Sequence, residues 1–329
     1  MLLRFAGNPI LEADPDSPWC SIKVYNCAIH KDLDGKYKML FRAIGNDWIS
    51  RLGYAESDDG INFFVLDRPV FTPGSPSDSS GVEDPRLVKI DDTFWMTYTA
   101  FDGKTARAAL TSSNDLIQFN SRKILFPNWQ HSAKIGFDPD WSKSGGMISQ
   151  AINGRYYMLF GDSHIWMATS DNLIDWHPNI EPLLTGRPGS FDAAYVEMGP
   201  PPILTKHGWL VLYHGVDNHD PAKTYRLGAA LLDKNDPTKV IWRCKQPLLE
   251  PAEPYETVGF VDVIEGGFET LKNITIEDLH ELKRNEKLPT AVFCCGAVLE
   301  ENEDVRIYYG AGDTVICTAV TDLETIFQL

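Results

Sequence analysis

Polar turns followed by aromatic-rich apolar runs recur five times along the chain. They read GKYKMLFRA (35–43), DTFWMTYTA (92–100), GRYYMLFGD (154–162), HGWLVLYHG (207–215) and EDVRIYYGA (303–311). Each run ends in a small or polar residue. A second strand-like segment follows in every copy: RLGYAESDDGINF, ARAALTSSNDLIQF, IWMATSDNLIDW, YRLGAALLDKNDPTKVI and TVICTAVTDLETIF. Short runs rich in β-branched and aromatic residues, bounded by turn formers, read as strands. Self-similarity on this scale marks a repeat architecture, and units of several short strands are propeller blades rather than helical repeats. The pattern predicts an all-β chain, a five-bladed β-propeller that occupies residues 1–329 as one domain. The first strand of each blade would face a central funnel, so the groups at the inner strand ends decide function.

Two segments fall outside the repeat. The lead-in contains a strand-like stretch, SIKVYNCAIH, expected to pair with the last blade, because closing the ring removes exposed sheet edges. Copies are spaced about 55–60 residues apart until the fourth, and about 95 separate the fourth from the fifth. The excess lies at about 262–290. There Thr275 reads as a helix N-cap, with acidic residues in the first turn and Lys283 and Arg284 in the last. Ile276, Leu279 and Leu282 give it one apolar stripe. The expected short helix either decorates the surface, covers the funnel or contacts a second subunit.

Composition narrows the class. A hydrophobic content of 43% in 329 residues supports a large core. No apolar window is long enough to span a membrane, and the N-terminus lacks the basic start and apolar region of a secretory signal. Six cysteines without CxxC spacing read as buried free thiols in a reducing cytoplasm. A net charge of −16 disfavours nucleic acid and anionic membranes as partners, since both reward basic patches. No phosphate-cradling glycine loop or HExxH motif is present, so no cofactor or metal is expected. Assembly into a homo-oligomer stays open.

The strongest chemical signal is Gly81-Val-Glu-Asp-Pro-Arg86. Two carboxylates and an arginine beside a proline make a rigid, charged approach to an inner strand. Asp84 precedes Pro85 and is expected in extended backbone, which sets its side-chain direction. The plain alternative is a turn-capping aspartate with Arg86 as its surface partner. Arg42, at the end of the equivalent strand one blade earlier, favours the functional reading.

GVEDPRL, GWLVLYHGVD, YRLGAALLDKNDPTKVI, PLLEPAEPYE and VRIYYGAGDT together resemble glycoside hydrolase family 130. That family comprises β-mannoside phosphorylases and some β-mannosidases on a five-bladed propeller. The resemblance runs from NPIL (8–11) to the final YYGAGDT, interrupted near 262–290. It implies that Asp84 is the proton donor, acting in family phosphorylases through a hydroxyl of the mannose. It also implies that Asn26, Arg42 and Asp313 contact the sugar. His214 matches the family's YHG histidine.

The departures from that pattern carry a further expectation. Gly161 stands where family phosphorylases have an arginine, and Tyr195 stands where they have a lysine. Two cations that would hold inorganic phosphate are therefore absent. Phosphate near neutral pH needs charge-assisted donors, and each such bond is worth roughly 1.5–3 kcal/mol. Glu197 replaces a small neutral residue; it either activates water or hydrogen-bonds the following Gly-Pro turn. Glu265, in Asp262-Val-Ile-Glu-Gly-Gly, is a second base candidate or an ordinary loop acid. An inverting glycosidase needs its acid and base roughly 6.5–9.5 Å apart, and Asp84 with Glu197 suits that scheme. Lys143 is a phosphate or substrate contact or a solvated loop lysine. Asp162 binds a sugar hydroxyl or caps its turn. Tyr225 and Arg226 reach the funnel or pack.

The sequence thus predicts an inverting hydrolase of β-linked manno-oligosaccharides, β-1,2-linked by resemblance. Asp84 is its acid, Glu197 or Glu265 its base, and Asn26, Arg42, Arg86, Lys143, Asp162, His214, Tyr225, Arg226 and Asp313 its substrate contacts. The alternative is a phosphorylase that holds inorganic phosphate as co-substrate through Arg42, Lys143 and Arg226. A carbohydrate-binding propeller without catalysis is the third reading.

Overall fold

The computed structural model describes residues 2–132, 140–218, 224–257 and 291–329. The fold is all-β. Among the described residues the helices are a four-residue turn, Pro254–Thr257, and a five-residue helix, Leu323–Phe327, besides a 3-10 turn, Pro76–Asp78. The helix expected at 275–284 and the base candidate Glu265 lie outside the described residues.

The strands form antiparallel units of four strands, or five in the fourth. The first unit is β2 (Lys23–Lys31), β3 (Tyr37–Ile44), β4 (Ser50–Ser57) and β5 (Phe64–Val65). The second is β6 (Gly81–Ile90), β7 (Thr93–Phe101), β8 (Ala106–Ser113) and β9 (Lys123–Ile124). One parallel pairing, Ser50 with Gly81, joins these two into a continuous sheet. The third unit is β10 (Gly146–Met147), β11 (Tyr156–Phe160), β12 (Trp166–Ser170) and β13 (His177–Pro178). In the fourth, β14 (Tyr195–Met198) and β15 (Ile203–Thr205) both pair with β16 (Gly208–Val216), followed by β17 (Arg226–Leu232) and β18 (Val240–Arg243). The prolines at 200–202 interrupt that first strand, because they cannot donate to the ladder. The fifth is β19 (Val292–Leu299), β20 (Asp304–Ala311), β21 (Val315–Asp322) and, on its outer edge, β1 (Leu3–Arg4).

Two expectations are corrected here. The recurring aromatic run is the second strand of each unit, not the first. A less patterned strand precedes it in every copy, and short apolar runs buried on both faces lack alternation to announce them. The lead-in strand Lys23–Lys31 opens the first unit and pairs with Tyr37–Ile44. The last unit instead receives Leu3–Arg4, and Arg4 also binds the Glu256 carboxylate at 2.8 and 2.9 Å.

Buried apolar side chains among the described residues form clusters between consecutive units. Leu40 and Leu52 of the first unit meet Met96 and Tyr98 of the second. Val88 and Leu110 of the second meet Phe160 and Trp166 of the third. Leu159 and Met167 of the third meet Val196 and Trp209 of the fourth. Leu210 and Leu212 of the fourth meet Val292 and Ile307 of the fifth. Tyr308 and Ile316 of the fifth then pack on Met39 and Phe41 of the first. Burial between units is the dominant favourable term, and its cyclic order ties the chain's two ends together. All six cysteines are buried and free.

Three first strands carry an irregularity at the same place. Pairing skips between Tyr25 and Ala28, between Glu83 and Arg86, and between Cys294 and Gly296. Such bulges bend a strand and re-aim the side chain at the extra residue. Asn26 and Asp84 stand in the first two, both in left-handed backbone with φ of 46° and 48°. Asp84 is therefore not extended as its proline neighbour predicts. The bulge overrides that preference, and it also explains how Pro85 is tolerated inside a strand.

Candidate active site

Asp84 is the centre of a group drawn from several units. Its Oδ1 accepts from Asn26 Nδ2 at 2.9 Å and from Arg42 at 3.1 Å. Arg42 also donates to Glu83 at 2.7 Å and to Ser50 at 2.9 Å, and lies over the Tyr25 ring. Burial pushes the Asp84 carboxyl up, but Arg42, Arg86, Lys143 and the Asn26 amide outweigh it and hold it below the usual carboxylate range. The resting group is an ionised carboxylate.

Arg86 plays a different part from the one expected. Fully buried, it donates to the carbonyls of Gly199 at 2.9 Å, Met198 at 2.9 Å and Asp84 at 2.8 Å. It straps the second unit to the fourth and bonds the two carbonyls at the break that ends β14. It positions the site, and its mapped bonds all go to backbone.

A second carboxylate group shares Lys143 with Asp84. Glu197, on β14, is fully buried; its Oε1 accepts from Ser144 Oγ at 2.6 Å and pairs with Lys143 Nζ at 3.1 Å. Its Oε2 has no hydrogen-bond partner among the described residues. The Gly-Pro-turn role weighed for Glu197 is thus not the one its mapped bonds show. Lys143 is no solvated loop lysine. Although burial opposes its charge, Glu197, Asp162 and Asp84 hold its pKa above the usual lysine value. Asp162 is also fully buried, and neither of its oxygens has a partner among the described residues.

His214 of β16 sits beside this group. Its Nε2 accepts from the Cys294 amide at 2.8 Å, and its ring stacks on Phe293 at 4.0 Å. Burial, with Arg86 and Lys143, drives its pKa well below the usual value despite Asp84, so it is a neutral imidazole. Tyr225 is hydrogen-bonded to Tyr195 and edge-on to Phe293. Burial raises the Tyr225 hydroxyl well above its usual pKa, and Glu197, Asp313 and Asp162 add to the rise. Asp313, at φ 53°, therefore approaches the same group from the turn between β20 and β21. Arg226 pairs with Glu250 at 3.4 Å, so part of its charge is already engaged.

Ser144 and Phe293 were not singled out from sequence, and Glu83 was read only as the second carboxylate beside Asp84. Ser144 had one weak signal, its place before Gly145-Gly146; it adopts φ 63°. Among the described residues no cluster of His, Cys, Asp and Glu is arranged to hold a metal ion. None of their helices is long and apolar enough to cross a membrane. A cavity of about 400 Å³ opens at the other ends of the central strands, walled by residues 29–33, 87–89, 201–204 and 296–299. Its Lys31 and Asp32 are tied to Glu300 and Lys38, and it is separate from the Asp84 group.

The sequence matches the profile described as beta-1,4-mannooligosaccharide phosphorylase over residues 10–268. The chain belongs to glycoside hydrolase family 130. A 1,2-beta-oligomannan phosphorylase of Thermoanaerobacter sp. (strain X514) is 34% identical, over 99% of this chain and 98% of that protein. A beta-1,2-mannobiose phosphorylase of the same organism is also 34% identical, with the same shares covered. One solved structure, 27% identical with a TM-score of 0.80, covers 98% of this chain and 94% of its own. It was reported under the finding that this family of mannoside phosphorylases contains glycoside hydrolases that target β-1,2-mannosidic linkages in Candida mannan.

Gly161 stands where the sequence resemblance implies an arginine in family phosphorylases. It adopts φ 123°, and a Cβ there would lie 2.2 Å from the His164 carbonyl oxygen and 2.5 Å from the Trp166 ring. The backbone at this point excludes any side chain. Tyr195, in the lysine's place, is buried against Tyr225.

Proposed function

We propose that this protein cleaves β-1,2-linked manno-oligosaccharides with inversion, and that water rather than phosphate attacks. The arrangement carrying the reading is Glu197: a buried carboxylate with one oxygen fixed by Ser144 and Lys143 and the other without a mapped partner. A water proton would pass to Glu197 as the water oxygen bonds to the anomeric carbon. The glycosidic bond breaks, and its oxygen takes the proton that Asp84 delivers. Asp84 is ionised at rest. A neutral sugar seated between Asp84 and Arg42 would weaken that pair, letting the carboxyl hold a proton. Asn26, Arg42 and Asp313 would bind sugar hydroxyls. The architecture supporting this is a five-bladed propeller, in which Asn26, Asp84, Lys143, Glu197 and the Cys294–His214 contact come from successive units.

Phosphorolysis is the second reading, and the phosphorylase relatives at 34% identity favour it over the first. Against it stands charge: Arg42 is engaged by Glu83 and Asp84, and Lys143 by Glu197. A phosphate dianion would have to displace carboxylates. Product analysis from β-1,2-mannobiose with and without inorganic phosphate decides between the two. Free mannose without phosphate supports hydrolysis; mannose 1-phosphate appearing only with phosphate sinks it. A lectin-like role predicts binding unchanged by Asp84→Asn and no turnover.

A further inference from the structure

Asp162 and Glu197 oppose each other directly. The Met198 amide donates to the Gly161 carbonyl at 3.0 Å, and the Val196 amide donates to the Ser163 carbonyl at 3.2 Å. These two bonds bracket Asp162, in the loop between β11 and β12, and Glu197 on β14, and so set the two residues opposite each other. Like charges set opposite one another are destabilising even on an exposed sheet. Here both residues are fully buried. The Lys143 backbone joins the arrangement, its carbonyl accepting from the Gly161 amide at 3.0 Å. Its ammonium bonds to Glu197. Asp162 has no bonded partner for either oxygen among the described residues, whereas Glu197 has Ser144 and Lys143 for one.

We propose that Asp162 and Glu197 form a proton-sharing carboxyl pair under Lys143, with the proton on Asp162 and the charge on Glu197, and that Asp162 thereby positions Glu197 as an ionised base. One cation offsets one carboxylate, so the second must be neutral to be buried without a partner. The asymmetry of hydrogen bonds decides which one. Burial lifts the Asp162 carboxyl to about 7, with Glu197 adding to the rise and Lys143 opposing it. The groups facing it are Lys143 before β10, Glu197 on β14 and Tyr225 just before β17, and Asp84 on β6 acts on Lys143. Above that titration the pair carries two negative charges, and Lys143 is divided between them. The role of Glu197 as base rests on the hydrolytic reading; the location of the proton does not.

Two measurements on the full chain test this. Infrared titration of the wild type should show a buried protonated carboxyl lost as pH rises through about 7, and Asp162→Asn should lack that signal. Absence of the signal in the wild type, or its persistence in Asp162→Asn, overturns the proposal. The pH profile of β-1,2-mannobiose cleavage should have an alkaline limb near that value in the wild type. Asp162→Asn should flatten the limb and keep its acid-side rate within about tenfold, while Asp162→Ala should lose more. An unchanged limb in Asp162→Asn refutes the positioning role. If the infrared signal behaves as expected but mannose 1-phosphate is the sole product, the pair stands and the hydrolytic reading fails.

Discussion

Single residues decide the chemistry, through what each is bonded to. Asp84 was marked in the sequence by its proline and arginine neighbours, and the structure adds why it is ionised: Arg42 and Asn26 share its Oδ1. Asp84→Asn should lower turnover by roughly 10²–10⁴, the usual contribution of a positioned acid, with sugar affinity by calorimetry little changed. Glu197→Gln keeps the shape but removes the proposed base. Under hydrolysis it should lose a similar factor. Under phosphorolysis it should retain or gain rate, because a carboxylate next to phosphate has been neutralised. Asp162 also shapes stability. Its carboxyl is raised in the folded state, so the unfolded chain gives up that proton more readily, and stability falls between about pH 4, the unfolded value, and about 7. Asp162→Asn should therefore gain melting temperature over the wild type as pH rises through that window and level off above it.

At the level of elements, the bulges at Asn26 and Asp84 bring side chains together that regular strands would point elsewhere. Arg86 then locks the second unit to the fourth. Arg86→Met should destabilise strongly, since three buried carbonyls lose their donor at about 1–3 kcal/mol each; urea unfolding reads the change. Gly161→Arg, which introduces the residue type that the sequence resemblance implies for family phosphorylases, should not create phosphate dependence. The Cβ meets the His164 carbonyl, so the variant should instead melt lower. The repeats were legible because aromatic runs between turn formers have a strand's period. Their rank within each unit was not, because the preceding first strands are short or bulged and buried on both faces.

Across the whole molecule, the clusters between units close on themselves, with Tyr308 and Ile316 against Met39 and Phe41. Leu3–Arg4 covers the outer edge of the last unit, and Arg4 ties that edge to Glu256. Deleting residues 1–5 should expose this edge, lower the melting temperature by several degrees and increase aggregation in light scattering. The sequence by itself determined the all-β class, the five repeats, the buried cysteines and the family, and it offered Asp84, Asn26, Arg42 and Glu197 as candidate site residues, since these are written in local patterns and short motifs. Tertiary structure decided which strand leads each unit, that Arg86 is a strap, that Lys143 is a buried counter-ion and that Asp162 opposes Glu197. Those depend on distances between residues far apart in the chain, and no local pattern encodes a charge balance assembled from separate units.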